Sequence, residues 1–516
     1  MSEKNINLSS LITEKGMLKS SLLQIVSSLS SQEFREFGDY VRSPFFNKNE
    51  SVSKLYDYLA LSYPDFKDKL LNKETIFKKL FPGAKYNESF IKTLIFNLTH
   101  LAEDYLGYLQ YSKEPLGQET RILRELEERN IEGPLLRKLK IAEGNLERVK
   151  YRNENFFLSK YNMQSFREAH WLSNQRFLNY KDLPDGEAYT KYKSILAFFF
   201  IKILNEYRLV YSQKRIVHFD YEFEFLDKLI EYLKENSRKY RSPLLEIVFN
   251  EVLMLKEGKV EYYTKAKEVL AAEMDRLAWI DRFNAMSALS AFAIEQFYKG
   301  NLDFMKERFE LHKIILENKL YGSSEKGGFF NAQLFINIVV VALQMKELEW
   351  CERFVKQYEP HLNPLNKDYP SFLCRSRLSF ANGRHEEALM YLSKIRSLSN
   401  ASYKTNVKNL TLMIYFEMGR SVEALDVADT YRKFLARDTI LPKAQRERNV
   451  NFLKFYNSLL KNSGNPEKIK ELRSEISETF NINERQWLLE KFAETDISVP
   501  NARLRDKTTR LKKPGK

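Results

Sequence analysis

The sequence predicts an all-α protein: an α-solenoid of stacked helical hairpins with an N-terminal helical module. Residues that break helices are scarce, because 17 Gly and 14 Pro among 516 residues are each about 3 % of the chain, against about 7 % and 5 % in average proteins. Pro is missing from residues 244–359 and 371–441, and a ten-residue pattern recurs in the C-terminal half. Stretches without Pro that are rich in Leu, Lys, Glu and Phe are typical of successive helices joined by short turns.

The N-terminal helical module is predicted over residues 10–112. A turn at residues 43–49 precedes a helix that begins near Glu50, and Pro82-Gly83 stop a second, short helix. The module ends in a long helix, for which Asn87 is a suitable N-cap. Apolar residues of this helix recur at steps of three and four and share one face, namely Ile91, Leu94, Ile95, Leu98, Leu101, Tyr105 and Leu109.

Helical hairpins are predicted over residues 118–240. Breaks are expected at residues 132–134 and 183–186, where Gly and Pro lie close together. Aromatic residues alternate through residues 218–225 as in a β-strand. A helix is favoured there by the Glu and Lys content and by apolar residues at helical spacing, which are Phe223, Leu226, Ile230 and Leu233.

A ten-residue pattern occurs twice in the C-terminal half. Residues 380–389 and 416–425, which are 36 positions apart, share Phe-x-x-Gly-Arg-x-x-Glu-Ala-Leu. Six matching positions at a fixed offset indicate an internal repeat. In each copy the Gly provides a tight turn between two helices, and the Ala is small enough to let the second helix approach the first. These residues are Gly383 and Ala388 in one copy, and Gly419 and Ala424 in the other.

Weaker copies extend the array over residues 243–479. Their turn positions lie at irregular intervals of 36 to 46 residues, at Gly258, Gly300, Lys346 and Gly464. After the Lys346 turn, Cys351 occupies the small-residue position that Ala388 holds in the clear copy. We therefore expect Cys351 to pack between helices and not to react.

The Gly-x-x-x-x-Ala hairpin resembles the tetratricopeptide repeat, whose unit is about 34 residues. The resemblance is most specific in the two clear copies and covers residues 243–479. This chain lacks the Trp-x-x-Leu-Gly opening of that family, and where the family has a helix-packing Gly it has Ala293, Val339, Ser376 and Leu412. The resemblance implies stacked hairpins with a groove for a peptide or a partner protein.

The N-terminal module resembles a segment of uncharacterised bacterial proteins. Residues 43–47, Ser-Pro-Phe-Phe-Asn, carry the resemblance together with residues 74–82 and the long helix after Asn87. This resemblance implies a bacterial and cytoplasmic origin, and it brings no activity with it.

The first hypothesis for function is a non-enzymatic scaffold that binds a protein or peptide in the groove of the repeat array. If the tetratricopeptide-like register holds, polar residues of the first helices face that groove and are suited to hydrogen-bond an extended ligand. They are Gln333, Gln344, Arg377, Asn406 and Asn409. Ordinary solvated surface is the alternative for each single residue.

Residue types that carry catalysis show no recognisable pattern. The six His lie at least 24 residues apart, no Gly-x-Ser-x-Gly motif occurs, and neither Cys351 nor Cys374 has the local features of a nucleophile. We therefore expect no catalytic residues, no metal and no cofactor. An enzyme whose site is scattered over several helices is a third hypothesis, which bound metal or nucleotide in a purified sample would support.

The basic excess of the chain is concentrated at one end. Lys plus Arg number 83 and Asp plus Glu number 69, a net charge of +14, of which the last 16 residues contribute +6. We expect residues 493–516 to be a disordered tail that either solubilises the chain or contacts nucleic-acid phosphates. The second hypothesis is therefore a nucleic-acid-associated regulatory protein, which uses its N-terminal module or the tail residues Arg503, Arg505, Lys507, Arg510, Lys512 and Lys513.

Neither a membrane span nor a secretion signal is predicted. The longest apolar run, residues 195–201, is much shorter than the roughly 18 residues that a membrane span requires. The N-terminus has no basic stretch followed by an apolar core. Two Cys in so long a chain do not form a disulfide framework, so we expect a protein of the reducing cytoplasm.

Overall fold

The predicted all-α class is confirmed. The described residues are mostly helical, and their β-pairing is limited to isolated bridges such as that between Phe330 and Leu362. The computed structural model describes residues 21–64, 66, 71–173, 187–214, 223–322, 328–364, 366–396, 400–462 and 465–494.

The chain divides into two compact units. The first comprises the described residues within 1–147 and 165–178, and the second those within 148–164 and 179–516. The predicted hairpin region 118–240 is thereby shared between them.

Seven helices make up most of the first unit. Their bounds are α1 Ser21–Ser28, α2 Ser31–Arg42, α3 Glu50–Ala60, α4 Lys73–Leu80, α5 Glu88–Lys113, α6 Pro115–Glu128 and α7 Glu132–Arg148. Helix α3 begins at the predicted residue, and α4 ends just before Pro82-Gly83. The Asn87 side chain accepts a hydrogen bond from the Phe90 amide, so the predicted N-cap of α5 is confirmed. The break predicted at residues 132–134 lies instead between the end of α6 at Glu128 and the start of α7 at Glu132, because Pro134 is tolerated in the first turn of α7.

Helix α5 is the centre of the first unit. Helices α1, α2, α3 and α4 all pack against it. Six residues of its predicted apolar face are buried, while Leu101 is partly buried at the edge of the same core. The three- and four-residue spacing therefore identified the helix that the others cover.

Helix α2 lies close to the Tyr56 ring of α3 at Gly38. A Cβ atom there would lie 2.6 Å from the hydroxyl of Tyr56, which is buried and donates a hydrogen bond to the Phe34 carbonyl. We expect Gly38→Ala to lower the free energy of unfolding of the first unit by about 1–3 kcal/mol, because the ring has to move. Gly107→Ala is the control, since a Cβ there meets nothing within 4 Å. Replacing this Gly inside α5 should raise stability by up to about 1 kcal/mol in urea titrations, and equal losses in both variants would contradict the close-approach argument.

The described part of the second unit contains sixteen α-helices, α8 to α23. Their bounds are α8 Glu154–Ser173, whose second half is assigned to the first unit, α9 Glu187–Lys214, α10 Leu226–Asn236, α11 Pro243–Glu257, α12 Val260–Glu273, α13 Trp279–Tyr298, α14 Phe304–Glu317, α15 Ala332–Gln344, α16 Leu348–Tyr358, α17 Asp368–Ala381, α18 His385–Ser393, α19 Ala401–Glu417, α20 Ser421–Arg437, α21 Lys443–Asn462, α22 Pro466–Glu478 and α23, residues 485–494.

From α11 to α22 the helices pack as six consecutive hairpins. Each odd-numbered helix, here called a first helix, packs against the even-numbered helix that follows it, and that second helix contacts the next first helix. Several first helices also touch each other directly, as α15 and α17 do. The predicted succession of hairpins over residues 243–479 is therefore present.

The predicted turn residues adopt the left-handed backbone conformation. Their φ angles are +70° at Gly258, +101° at Gly300, +61° at Lys346, +74° at Gly383 and +68° at Gly419, whereas Gly464 lies outside the described residues. At four of these turns the next amide donates to the carbonyl five residues earlier, which closes the end of the first helix. The pairs are Asn301 to Gln296, Glu347 to Ala342, Arg384 to Ser379 and Arg420 to Tyr415.

The small residues after these turns are fully buried. Ala388, Ala424 and Cys351 have no exposed surface, so the packing role predicted for Cys351 is confirmed. Burial raises the pKa of the Cys351 thiol to about 12, and Cys374 is buried and free as well. Such thiols are protonated at neutral pH and are not nucleophiles.

The helix predicted from Phe223 begins three residues later, at Leu226. Phe223 instead packs its ring edge-on against Tyr207 of α9, with centroids 5.0 Å apart. This aromatic contact holds Phe223 before the helix, in the turn that leads to α10. The predicted break at residues 183–186 lies outside the described residues.

A buried carboxyl group makes the second unit sensitive to pH. Burial, with the negative charge of Glu154 nearby, raises the pKa of Asp281 to about 7, although Arg208 opposes the shift. Glu251 is fully buried in the same cluster, raises this pKa further and accepts a hydrogen bond from Arg208 at 2.7 Å. The folded state therefore holds a proton on Asp281 that an unfolded Asp loses near pH 4.

The contribution of Asp281 to the stability of the second unit should fall as pH rises from about 4 to about 7. At this carboxyl group the folded state binds more protons than the unfolded state in that window, so its contribution to the free energy of unfolding decreases with pH until folded Asp281 ionises. We expect Asp281→Asn to remove this slope and therefore to be more stabilising, relative to wild type, at pH 8 than at pH 5. Denaturation at both pH values tests this, with the exposed Asp275→Asn as control. An identical pH slope in wild type and Asp281→Asn would contradict it.

Among the described residues, none of the helices combines the length and the apolar character that crossing a membrane requires.

Candidate functional site

Helix α22 is followed by residues 479–494, hereafter the C-terminal segment, which ends in α23. This segment lies against the first helices of five hairpins or against the turns that follow them. The polar contacts are Asn483 with Tyr298, Glu490 with Lys346, Glu484 with Arg377, Trp487 with Glu417, and the Asn481 carbonyl with Asn451. One surface of the second unit is therefore covered by a partly helical segment of the same chain.

Trp487 is the main apolar anchor of the C-terminal segment. Its side chain is buried, with 8 % of the residue exposed, and its ring packs edge-on against Phe416 with centroids 5.4 Å apart. A second aromatic ring, that of Tyr456, stacks on it at 6.2 Å. The indole Nε1 donates a hydrogen bond to the Glu417 carboxylate at 2.8 Å. Large aromatic residues with a satisfied polar atom are typical anchors of protein interfaces.

Arg377 and Glu484 form a mostly buried ion pair. The guanidinium donates to the carboxylate at 2.7 Å, and the two side chains are 10 % and 15 % exposed. Burial alone lowers the pKa of Arg377, but the negative charge of Glu484 outweighs it and raises the pKa. The pair fixes the start of α23 against α17.

Between this surface and the C-terminal segment lies a cavity of about 310 Å³. Its lining combines apolar side chains with charged and amide groups, from Val340 on α15 to Met413 on α19. The remaining lining residues are Leu343, Gln344, Lys346, Leu348, Arg377, Phe380, Ala381, Glu484, Gln486, Trp487 and Glu490. A volume of this size is at the lower end of ligand pockets and suits one or two apolar side chains.

The structure brings two of the five predicted partner-binding residues to this cavity, Gln344 and Arg377. Gln333 is exposed at the other end of α15 and donates to Asn337 at 3.1 Å. Asn406 is half-buried and donates to the Tyr369 hydroxyl at 3.2 Å. Asn409 is 2 % exposed, and its side-chain amide nitrogen donates a hydrogen bond to another buried residue of the protein.

Asn409 belongs to a buried polar cluster around Asn449. The side-chain oxygen of Asn449 accepts hydrogen bonds from Asn409 at 2.9 Å, from Tyr431 at 2.8 Å and from Asn483 at 2.7 Å. These donors come from α19, α20 and the C-terminal segment. One carboxamide oxygen therefore joins the segment to the last two hairpins.

A second, larger cleft of about 600 Å³ lies beside α16, α17 and α18. Four of its charged lining residues pair with each other, Arg375 with Glu359 and Arg384 with Glu387. In the part of the chain that the structure describes, His, Cys, Asp and Glu form no group of three or more that suits a metal ion.

Sequence reasoning missed the C-terminal segment as a part of the site. The predicted array ended at residue 479 and the predicted tail began at 493, so the residues between them were assigned to neither. The available signal was a set of apolar residues at helical spacing that includes one of only four Trp. They are Ile482, Trp487, Leu488 and Phe492, all of them buried. The six predicted nucleic-acid contacts of the tail lie outside the described residues.

The surface of first helices that carries the C-terminal segment is the candidate site, and the cavity beside Gln344 and Arg377 is its unfilled part. Comparison of the chain with protein-family models, with curated proteins and with solved structures gave no match.

Proposed function

We propose that this chain is a cytoplasmic, non-enzymatic scaffold whose second unit is a tetratricopeptide-like α-solenoid that binds a peptide or a partner protein against its first helices. One observation carries the proposal: those helices already hold a helical segment of the chain through a buried Trp and an ion pair. A surface that binds one amphipathic helix in this way has the chemistry to bind another.

The repeat geometry supports the same proposal. Consecutive hairpins that each contact the next align their first helices in a row, and such rows are used as extended binding surfaces in repeat proteins. Gln344 and Arg377, predicted from the sequence as groove residues, line the cavity beside the C-terminal segment. Its mixed apolar and amide lining suits an apolar side chain together with a hydrogen-bonded backbone.

Affinity capture from an extract of the native organism tests the proposal. The full chain is used as bait in its wild-type form and as Gln344→Arg, which places a long charged side chain beside the cavity. We expect the variant to lose at least one captured protein. Gln357→Arg is the matched control, because it makes the same change at an exposed position of the second helix α16 that does not line the cavity. Identical capture by wild type and Gln344→Arg would contradict the proposal.

A nucleic-acid-associated regulatory role is the second candidate. The observation that favours it is the charge of +6 in the last 16 residues. A mobility-shift assay with duplex DNA and with RNA, at several salt concentrations, compares the full chain with a chain that ends at Pro500. If the tail binds phosphates, the full chain alone should show binding that weakens steeply with salt. Absent or salt-insensitive binding would exclude this candidate.

A further inference from the structure

Three residues of the C-terminal segment, spaced three positions apart, contact three different hairpins. These contacts are Glu484 with Arg377, Trp487 with Glu417, and Glu490 with Lys346. Glu484 lies just before α23 with a left-handed backbone, whereas Trp487 and Glu490 lie on neighbouring turns of one face of α23. The segment therefore presents an acidic residue at the start of a helix, and then an aromatic and an acidic residue on one face of that helix.

The receiving surface complements that row in charge and shape. A cation stands opposite each of these two acidic residues, Arg377 opposite Glu484 and Lys346 opposite Glu490. The rings of Phe416 and Tyr456 receive the indole, and Glu417 accepts its N–H. The arrangement thus selects the spacing Glu-x-x-Trp-x-x-Glu in a segment whose helix begins after the first Glu, which is recognition by charge and by an aromatic anchor together.

Docking of the segment is incomplete on the side of α15. The ion pair between Lys346 and Glu490 is exposed, with 75 % and 46 % of the two side chains accessible, and such pairs contribute little. Beside it lies the cavity of about 310 Å³, which Val340 and Leu343 of α15 line together with Gln486, Trp487 and Glu490 of the segment. A competing helix therefore meets its weakest resistance at this end.

We infer that the C-terminal segment is an internal competitor for the binding surface, and that the partner supplies a segment with the same acid–aromatic–acid spacing at the start of a helix. The inference rests on the proposed function and names the class of partner for that site. A tethered competitor acts at a high effective concentration, so only molecules with an undocked segment bind the partner. The apparent affinity for the partner is then reduced by the fraction of such molecules.

A labelled peptide with the sequence of residues 479–494 tests the inference when it is added to the full chain. Trp487→Ala in the protein weakens the internal competitor, so this variant should bind the peptide at least tenfold more tightly than wild type does in fluorescence polarisation. A peptide with Ala in place of Trp, and one with Arg in place of Glu484 and Glu490, should each bind the Trp487→Ala protein at least tenfold more weakly. Equal affinity of wild type and variant, or of the three peptides, would overturn the inference.

A milder variant guards against loss of folding in Trp487→Ala. Glu490 is exposed, so Glu490→Arg leaves the core intact while it repels Lys346. We expect it to raise the affinity for the added peptide at least twofold. Glu478→Arg, an equal change of charge at an exposed position of α22, should leave the affinity unchanged. Peptide affinity that is the same in both variants would count against internal competition.

Hydrogen exchange in the wild-type protein gives an independent readout. Amides of α23 should exchange faster than those of α19, because undocking of the segment does not require the hairpins to unfold. Equal protection of both helices would contradict the inference. If affinity capture identifies a partner that Gln344→Arg loses, but the added peptide does not bind, internal competition fails while the proposed function stands. If the added peptide binds tightly but capture is insensitive to Gln344→Arg, the proposed function fails while internal competition stands.

Discussion

Replacing Arg377 with Ala is expected to lower the free energy of unfolding of the second unit by about 3–5 kcal/mol. The reason is that the Glu484 carboxylate, 15 % exposed and 2.7 Å from the guanidinium, would remain largely buried without its cation. Urea denaturation followed by circular dichroism measures the loss in the transition of this unit.

Two further variants separate burial from simple charge pairing. Arg377→Met combined with Glu484→Met removes both charges and should recover most of the lost stability. Arg353→Ala removes one partner of an exposed pair, in which the Arg353 and Glu349 side chains are 70 % and 92 % accessible, and should cost less than about 1 kcal/mol. Equal effects of Arg377→Ala and Arg353→Ala would show that the Glu484 contact contributes no more than a surface ion pair.

Phe37→Ala should lower the free energy of unfolding of the first unit by about 3–5 kcal/mol. Phe37 on α2 has no exposed surface, and its ring packs edge-on against Tyr56 and tilted against Tyr105 at centroid distances of 5.6 and 5.3 Å. Removing the ring leaves a cavity that these two neighbours cannot close without losing their own contacts. Thermal and urea unfolding both report the change.

Phe96→Ala is the matched control for that prediction. Phe96 lies on α5 of the same unit but is 67 % exposed, so the same chemical change should alter stability by no more than about 0.5 kcal/mol. A loss of several kcal/mol in Phe96→Ala would mean that its exposed face is covered in solution, and comparable losses in the two variants would contradict the assigned core.

The turns of the repeat array were predictable because their signal is local. A residue with φ near +70° favours Gly, and the small residue five positions later follows from close helix packing, so the two leave a recurring pattern. Even Lys346 was found, by its offset from Gly383 and Gly300, although it is not a Gly. The long helix α5 was equally clear, because one continuous apolar face needs only its own residues to be recognised.

The candidate site was less predictable because it depends on contacts between distant residues. Asn483 meets Tyr298 across 185 positions of sequence, and no local pattern encodes that meeting. For the same reason Asn409, expected to face a ligand, faces Asn449 of a neighbouring helix. The spacing of polar residues in the sequence indicated which of them lie on the first helices. Only the structure shows that the C-terminal segment covers these helices.

The position of the C-terminal segment also sets an order of events during synthesis. Arg377 and Glu484 are 107 positions apart, so a ribosome that adds about 5–20 residues per second needs roughly 5–20 s to make the second after the first. By the time Glu484 is added, helices α13 to α19 have been synthesised. Helix α23, which lies against this surface, has not. A nascent chain therefore passes through a stage at which its first helices are not yet covered by its own C-terminal segment.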